Sequence, residues 1–147
     1  MENFALILEN RVLWVAVACW LSAQILKVLF YACKNRQFSF ERFVGAGGMP
    51  SSHSSTVCGL TVAVGRVCGL SSPVFTVSLV MAFIVMYDAT GVRRAAGEQA
   101  RVLNRLLLER DKAGAQKALK EFLGHTPLEV LGGAVLGVLL GFLIPVA

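Results

Sequence analysis

The chain has 147 residues, a length typical of one domain, yet 56% of its residues are hydrophobic. This composition is too apolar for an ordinary soluble domain, and it excludes intrinsic disorder, a collagen-like fibre and a coiled coil. The 14 lysines and arginines outnumber the 9 acidic residues and give a net charge of +5. We interpret the excess as basic loops between apolar spans, and we expect no nucleic-acid partner.

Four apolar stretches are long enough to cross a bilayer as helices, which takes about 20 residues. The predicted spans cover approximately residues 12–33, 52–70, 74–92 and 128–147. Glu2 and Glu9 precede the first span where a secretory signal would carry positive charge, so we predict a retained helix. The predicted fold is an all-α integral membrane protein, a single membrane domain over residues 1–147 with four transmembrane helices.

Residues 95–123, between the third and fourth spans, have an amphipathic pattern. Leu103, Leu106 and Leu107 recur at helical spacing, with Arg101 and Arg105 on the opposite face. We predict a cytoplasmic helical segment here. It lies on the anionic inner leaflet, or it caps a site or contacts a partner.

Lysine and arginine concentrate in two segments, the loop after the first span and the stretch from Arg93 to Glu121. With four spans, both segments lie on the same side of the membrane. The positive-inside tendency makes that side the cytoplasm and places both termini on the opposite side.

Polar residues within the predicted spans fall near the cytoplasmic ends of the helices. Because such groups are costly at membrane depth, they are candidates for function. The residues that span parity brings to this face are Lys27, His53, Asp88, His125 and Glu129.

The loop before the second span contains Gly48, Ser51, Ser52 and His53. Free backbone N–H groups, hydroxyls and a helix N-terminus together favour an oxyanion such as phosphate. Ser51 or Ser52 also suits the N-cap of the helix, and a capping role is compatible with binding.

His125 and Glu129 are four residues apart, about one helical turn. A carboxylate at that position can accept the imidazole N–H, fix the tautomer and make the other nitrogen a better nucleophile. The alternative is a surface histidine beside a helix cap.

These two segments resemble motifs of the type 2 phosphatidic acid phosphatase superfamily, which includes vanadium haloperoxidases. The segment from Pro50 to His53 is similar to the Pro-Ser-Gly-His block, and the segment from His125 to Glu129 is similar to the His-x-x-x-Asp block, with glutamate for aspartate. The stretch from Tyr87 to Arg94 looks like the divergent branch of that superfamily.

The basic motif residues of the superfamily match only in part. Lys27 and Lys34 partly match its Lys and Arg block. Leu119 stands where an arginine is expected before the second histidine. The candidate substitutes for that arginine are Arg93, Arg94, Lys117 and Lys120.

The resemblance implies a lipid phosphate phosphatase acting at the cytoplasmic leaflet through a phosphohistidine intermediate. Its substrate would be a phospholipid or polyprenyl phosphate monoester or diphosphate. His125 would attack phosphorus, Glu129 would orient it, and His53 would protonate the leaving alcohol. The residues expected to hold the phosphoryl oxygens are Lys27, Lys34, Ser51, Ser52, Arg93 and Arg94, with Gly48 and Asp88 in support. The resemblance requires no metal cofactor.

Asp88 has two interpretations. It forms a salt bridge to Arg93 or Arg94, which we favour, or it binds Mg²⁺ together with Glu98. Two other functions therefore stay open: a non-catalytic protein that binds or transports anionic lipid, and a Mg²⁺-dependent phosphotransferase centred on Asp88.

The fourth span carries small residues at every fourth position, Gly133, Gly137 and Gly141. Such a stripe lets helix backbones approach closely in a membrane. We predict that it packs against the second span or forms the seam of a homodimer.

Overall fold

A computed structural model of the protein describes residues 2–36, 48–110, 119 and 124–146. The regular elements within these ranges are all α-helices. They are α1 (Glu2–Glu9), α2 (Arg11–Asn35), α3 (Ser52–Cys68), α4 (Pro73–Thr90), α5 (Val92–Arg110) and α6 (Pro127–Leu143). Two stretches are long and apolar enough to cross a membrane, Arg11–Cys33 and Pro73–Leu107, and α6 is a shorter apolar helix. The all-α prediction is confirmed for the described residues.

Local sequence signals explain where these helices begin. Each of four helices starts after a polar residue whose side chain accepts a hydrogen bond from a backbone N–H three residues later. Pro73 and Pro127 occupy first-turn positions, where the missing N–H has no consequence. The caps are Asn10 for α2, Ser51 for α3, Ser72 for α4 and Thr126 for α6.

Helix α3 lies between α2, α4 and α6 and packs against all three. Its Ser55 hydroxyl donates to the carbonyl of Cys19 in α2 at 3.1 Å, and its Thr61 hydroxyl, 2.7 Å from the carbonyl oxygen of Val57, also lies 3.1 Å from the carbonyl oxygen of Ser78 in α4. The order of the contacts makes α3 antiparallel to α2 and α4 but parallel to α6. The C-terminal ends of α2 and α4 and the N-terminal ends of α3 and α6 therefore meet. We call this end of the bundle the histidine end.

The glycine stripe of α6 faces α3. A Cβ atom at Gly133 or Gly137 would overlap the backbone carbonyls of Ser51 and Ser55, and one at Gly141 would lie 2.8 Å from Cβ of Val62. The structure thus has the first of the two predicted arrangements, packing within the chain. Because α3 covers all three glycines, a homodimer seam through this stripe would require α3 and α6 to separate, and we withdraw that interpretation of the stripe.

The amphipathic segment begins earlier than its pattern predicts. Helix α5 starts at Val92, directly after Gly91 ends α4, so Arg93 and Arg94 lie in the first turn of α5. The side chain of Asn104 holds the backbone of Leu119, donating to its carbonyl at 2.9 Å and accepting from its N–H at 2.8 Å. The rest of the segment, residues 111–118 and 120–123, lies outside the described residues.

Candidate active site

The two histidines of the chain meet at the histidine end. Their ring centroids are 6.1 Å apart and the ring planes are inclined by 62°. His53 lies in the first turn of α3 with an exposed side chain, whereas His125 precedes α6 and is only 4% exposed. The site therefore has one imidazole open to the surroundings and one enclosed by protein.

Three contacts fix the position of His125. Two of them are its own: its Nδ1 lies 3.1 Å from Oε2 of Glu129, and its backbone N–H donates to the carbonyl of Ala89, at the end of α4, at 2.9 Å, while the third is made by the preceding residue. Gly124 has a φ of +98°, and a Cβ there would overlap the backbone of Arg94. Glycine is therefore required at this position both by its conformation and by its contact with α5.

Glu129 also belongs to the cap of α6. Thr126 donates its backbone N–H to Oε2 of Glu129 at 3.0 Å, and the N–H of Glu129 donates to the Thr126 hydroxyl at 3.3 Å, a reciprocal capping box. A carboxylate acceptor at Nδ1 of His125 requires the proton on that nitrogen, so Nε2 carries the free lone pair. The side chain that caps the helix thus also selects the tautomer.

Burial lowers the pKa of the His125 imidazole below its ordinary value of 6.5. The hydrogen bond and the charge of Glu129 oppose this shift, while the charges of Lys27 and Arg93 add to it. His125 is therefore neutral near pH 7, which is the protonation state that a nucleophilic imidazole needs.

The serines before and within α3 have different roles. Ser51 is fully buried, its hydroxyl accepts from Ser54, and its N–H donates to the carbonyl of Glu129 at 2.9 Å. The hydroxyl of Ser51 is thus engaged within the fold. Ser52 is buried, and its hydroxyl has no hydrogen-bond partner among the described residues. The backbone N–H groups of Ser52 and His53, in the first turn of α3, likewise have no acceptor there.

Lys27 is 3% exposed and lies on α2 beside the loop before α3. A Cβ at Gly48, which has a φ of +95°, would be 3.2 Å from Cγ of Lys27. The ammonium forms no hydrogen bond or ion pair with any described residue, although its charge acts on His53, His125 and Glu129. A buried cation in this state favours an anionic ligand.

Gln24 is a residue that the sequence analysis missed. It lies three residues before Lys27 on the same helix and is 4% exposed, and its Oε1 atom has no hydrogen-bond partner among the described residues. The spacing of three places both side chains on one face of α2, and this is the signal that would have identified it. A buried carbonyl oxygen without a partner among the described residues, on the face of α2 that carries Lys27, indicates a polar site facing α2.

Asp88 pairs with Arg93, whose Nε donates to its Oδ2 at 2.6 Å. This is the salt bridge favoured from the sequence. Arg94 pairs instead with Glu98 at 3.3 Å. The charge of Arg93 acts on both histidines, so Arg93 is the arginine that the structure brings to the site.

The alternative of Mg²⁺ at Asp88 and Glu98 does not fit this arrangement. The two carboxylates bind different arginines, and the described residues contain no group of three side chains suited to a metal ion. Lys34 lies in the last turn of α2, but its side chain is outside the described part of the structure, as are Lys117 and Lys120.

These features define an all-helical membrane protein with a paired-histidine site at one end of its bundle. The chain belongs to the divergent PAP2 family, which matches residues 8–140. It is 40% identical to the "uncharacterized membrane protein YuiD" of Bacillus subtilis (strain 168), over 91% of this chain and 93% of that relative. No solved structure matches it. The family prediction made from the histidine motifs is confirmed.

Proposed function

We propose that this protein is a lipid phosphate phosphatase that hydrolyses a phosphate monoester or diphosphate of a phospholipid or polyprenol. The observation that carries the proposal is the pair of imidazoles 6.1 Å apart, of which the buried one is hydrogen-bonded to a carboxylate. This pairing supplies a nucleophile and a separate proton donor to one ligand. Family membership supports the same chemistry.

The membrane arrangement in this proposal has α2, α3, α4 and α6 as four spans. Helices α3 and α6 each have 17 residues, a length of about 26 Å at 1.5 Å per residue, against a hydrocarbon core of about 30 Å. Their parallel direction agrees with a single span, α4, between them. The basic segments follow the ends of α2 and α4 that meet at the histidine end, so the positive-inside tendency turns this end toward the cytoplasm, with both termini on the opposite side.

In the first step, Nε2 of His125 attacks phosphorus and the bond between phosphorus and the lipid oxygen breaks. Glu129 stabilises the positive charge that develops on the imidazole. In the form of the enzyme that reacts, His53 is protonated and gives its proton to the leaving alcohol. The product is a phosphohistidine and a neutral His53.

In the second step, His53 removes a proton from water while the water oxygen attacks phosphorus. The bond between phosphorus and Nε2 of His125 breaks, and inorganic phosphate leaves. His53 is again protonated, so the cycle returns the enzyme to its starting state. The exposed position of His53 suits a group that meets both the leaving alcohol and water.

The groups that have no partner in the described part of the chain are those that we assign to the phosphoryl oxygens. They are the Lys27 ammonium, the Ser52 hydroxyl and the N–H groups of Ser52 and His53. Arg93 adds positive charge from the start of α5. Charge stabilisation of this kind is the main contribution a protein makes to a loose phosphoryl transition state.

The test is phosphate release by the purified protein, in EDTA, from phosphatidic acid and from polyprenyl phosphate and diphosphate. We expect His125→Asn to lower release by about 10³-fold or more. The exposed Gln99→Ala, outside the site, is the control and keeps wild-type activity. Unchanged release by the His125 variant would contradict the proposed function.

A second candidate function, binding or transport of anionic lipid without turnover, has one observation in its favour. Leu119 stands at the position of the family's arginine, so a phosphate-binding cation is missing there. The backbone of Leu119 is hydrogen-bonded to the side chain of Asn104. This function predicts that lipid phosphate binds wild type and His125→Asn equally and that no phosphate is released. The same lipid panel, measured for binding as well as for release, separates the two functions.

A further inference from the structure

An apolar groove lies on the bundle surface between α3, α4 and α6, away from the histidines. It encloses a cavity of about 570 Å³, within the range of roughly 300–1,000 Å³ typical of small-molecule sites. No histidine, Lys27 or Glu129 lines it. The residues that line it include Cys58, Arg66, Phe75, Phe83, Met86 and Val138.

The two ends of the groove differ. Near the histidine end it reaches Cys58 and Met86, and beyond them α4 and α6 are joined by the hydrogen bond from His125 to Ala89. At the other end it reaches Arg66 and Phe75. Cys58 and Arg66 are eight residues apart on one helix, about 12 Å, which approaches half of a hydrocarbon core of about 30 Å. The groove therefore has the depth of one leaflet, the one opposite the histidine end.

Arg66 places a positive charge at the open end of this apolar groove. Its Nη1 donates to the carbonyls of Gly141 and Ile144, at 2.6 and 2.7 Å, which fixes the guanidinium against the end of α6. The guanidinium has no carboxylate partner among the described residues, and its Nε and Nη2 make no hydrogen bond there. A fixed cation with free donors above an apolar groove is complementary to an amphiphile with an anionic head.

We propose that this groove binds one acyl chain of an anionic phospholipid from the leaflet opposite the histidine end, with the lipid phosphate on Arg66. Arginine binds phosphate through paired N–H donors, and the free nitrogens of Arg66 provide them. In this arrangement the groove faces hydrocarbon, so the acyl chain displaces no water. It fills a space that the protein leaves empty. This lipid is separate from the lipid phosphate hydrolysed at the histidine end.

The experiment uses the full chain in phosphatidylcholine vesicles that contain a phosphatidylglycerol with a photoreactive group at the end of one acyl chain. After irradiation, the labelled peptides are identified by mass spectrometry. We expect labels on Cys58, Met86 and neighbouring groove residues. Val138→Trp, which fills the groove, lowers this labelling by about tenfold, whereas Val135→Trp, exposed on the same helix outside the groove, leaves it unchanged.

Two further arms address the headgroup and the substrate. Arg66→Gln lowers labelling by the phosphatidylglycerol probe about tenfold but does not alter labelling by the matching diacylglycerol probe, which lacks phosphate. His125→Asn leaves both unchanged. Equal labelling of the Val138 and Val135 variants, or loss of labelling in the His125 variant, would overturn the proposal. If Arg66→Gln does not fold, the two tryptophan variants still decide it.

Discussion

The carboxylate oxygen Oε2 of Glu129 lies 3.1 Å from Nδ1 of His125 and at the same time accepts the N–H of Thr126 at 3.0 Å. One side chain thus begins helix α6 and orients the imidazole beside it. The superfamily motif has aspartate at the equivalent of Glu129. Because the glutamate side chain is longer, it can act in a capping box three residues after Thr126 and still reach His125.

Replacing Glu129 by glutamine separates these two roles. Glutamine also acts in capping boxes, so we expect the unfolding temperature to stay close to that of the wild type. The neutral amide does not stabilise the imidazolium, so phosphate release falls by about 10²–10⁴-fold. Thermal unfolding in detergent and phosphate release on the same samples check both. If the unfolding temperature of the variant fell together with its activity, Glu129 would act only in the helix cap.

The pH dependence of kcat/KM reports on His125. Burial holds the pKa of this imidazole below 6.5, so its lone pair stays free until the pH falls below that value. Activity therefore persists somewhat below pH 6.5 and declines as the pH falls through the pKa of the folded protein. Glu129→Gln removes the influence that raises this pKa, so the acidic limb of the residual activity moves to lower pH. A shift to higher pH would contradict the assignment.

We expect the charge of Lys27 to lower the stability of the fold and to strengthen the binding of a lipid phosphate. In Lys27→Met a buried cation that pairs with no described residue is lost, so the free energy of unfolding rises by about 1–4 kcal/mol. The KM for a lipid phosphate rises by at least about tenfold, because a charge-assisted contact to phosphate is removed. Ile25→Met, at an exposed position of the same helix, changes neither quantity. A destabilised Lys27→Met protein with an unchanged KM would show that Lys27 is only structural.

The register of α3 and α6 depends on Gly137. In Gly137→Ala the new Cβ overlaps the backbone carbonyl of Ser55, so we expect a loss of about 1–3 kcal/mol in unfolding free energy. Activity falls as well, since Ser55 lies two residues after His53. Gly132→Ala is the matched control, because its Cβ would come closest to the flexible end of Met49, at 3.2 Å, and would make only ordinary contact with Pro50, at 3.9 Å. Equal stability of the two variants would contradict the packing described for the stripe.

Much of the site follows from local sequence features. The caps at Ser51 and Thr126 and the prolines after Ser72 and Thr126 determine where helices begin, and the alternating directions of the helices bring both histidines to one end of the bundle. These are short-range properties that a reader of the sequence can count. The spacing of His125 and Glu129 is of the same kind, because one helical turn determines their contact.

Other features depend on how helices sit against each other, which no short segment encodes. The stripe of α6 could face a second copy or α3, and the register that places Gly137 opposite Ser55 decides between them. Gln24 was missed because only the structure shows that its side chain is buried and that its Oε1 atom has no partner among the described residues. The sequence could not distinguish Arg93 from the other candidate basic residues. The distinction depends on the structure, which places the start of α5 directly against Gly124.

The hydrogen bond between His125 and Ala89 links the proposed nucleophile to α4, whose buried residues, Ala82 and Ala89, are few. In the proposed membrane arrangement most of that helix faces lipid, so its tilt would respond to the thickness of the surrounding bilayer. Any rocking of α4 then displaces the imidazole relative to His53, which belongs to a different helix. In that arrangement, the thickness of the membrane would influence the distance between the imidazoles of His125 and His53.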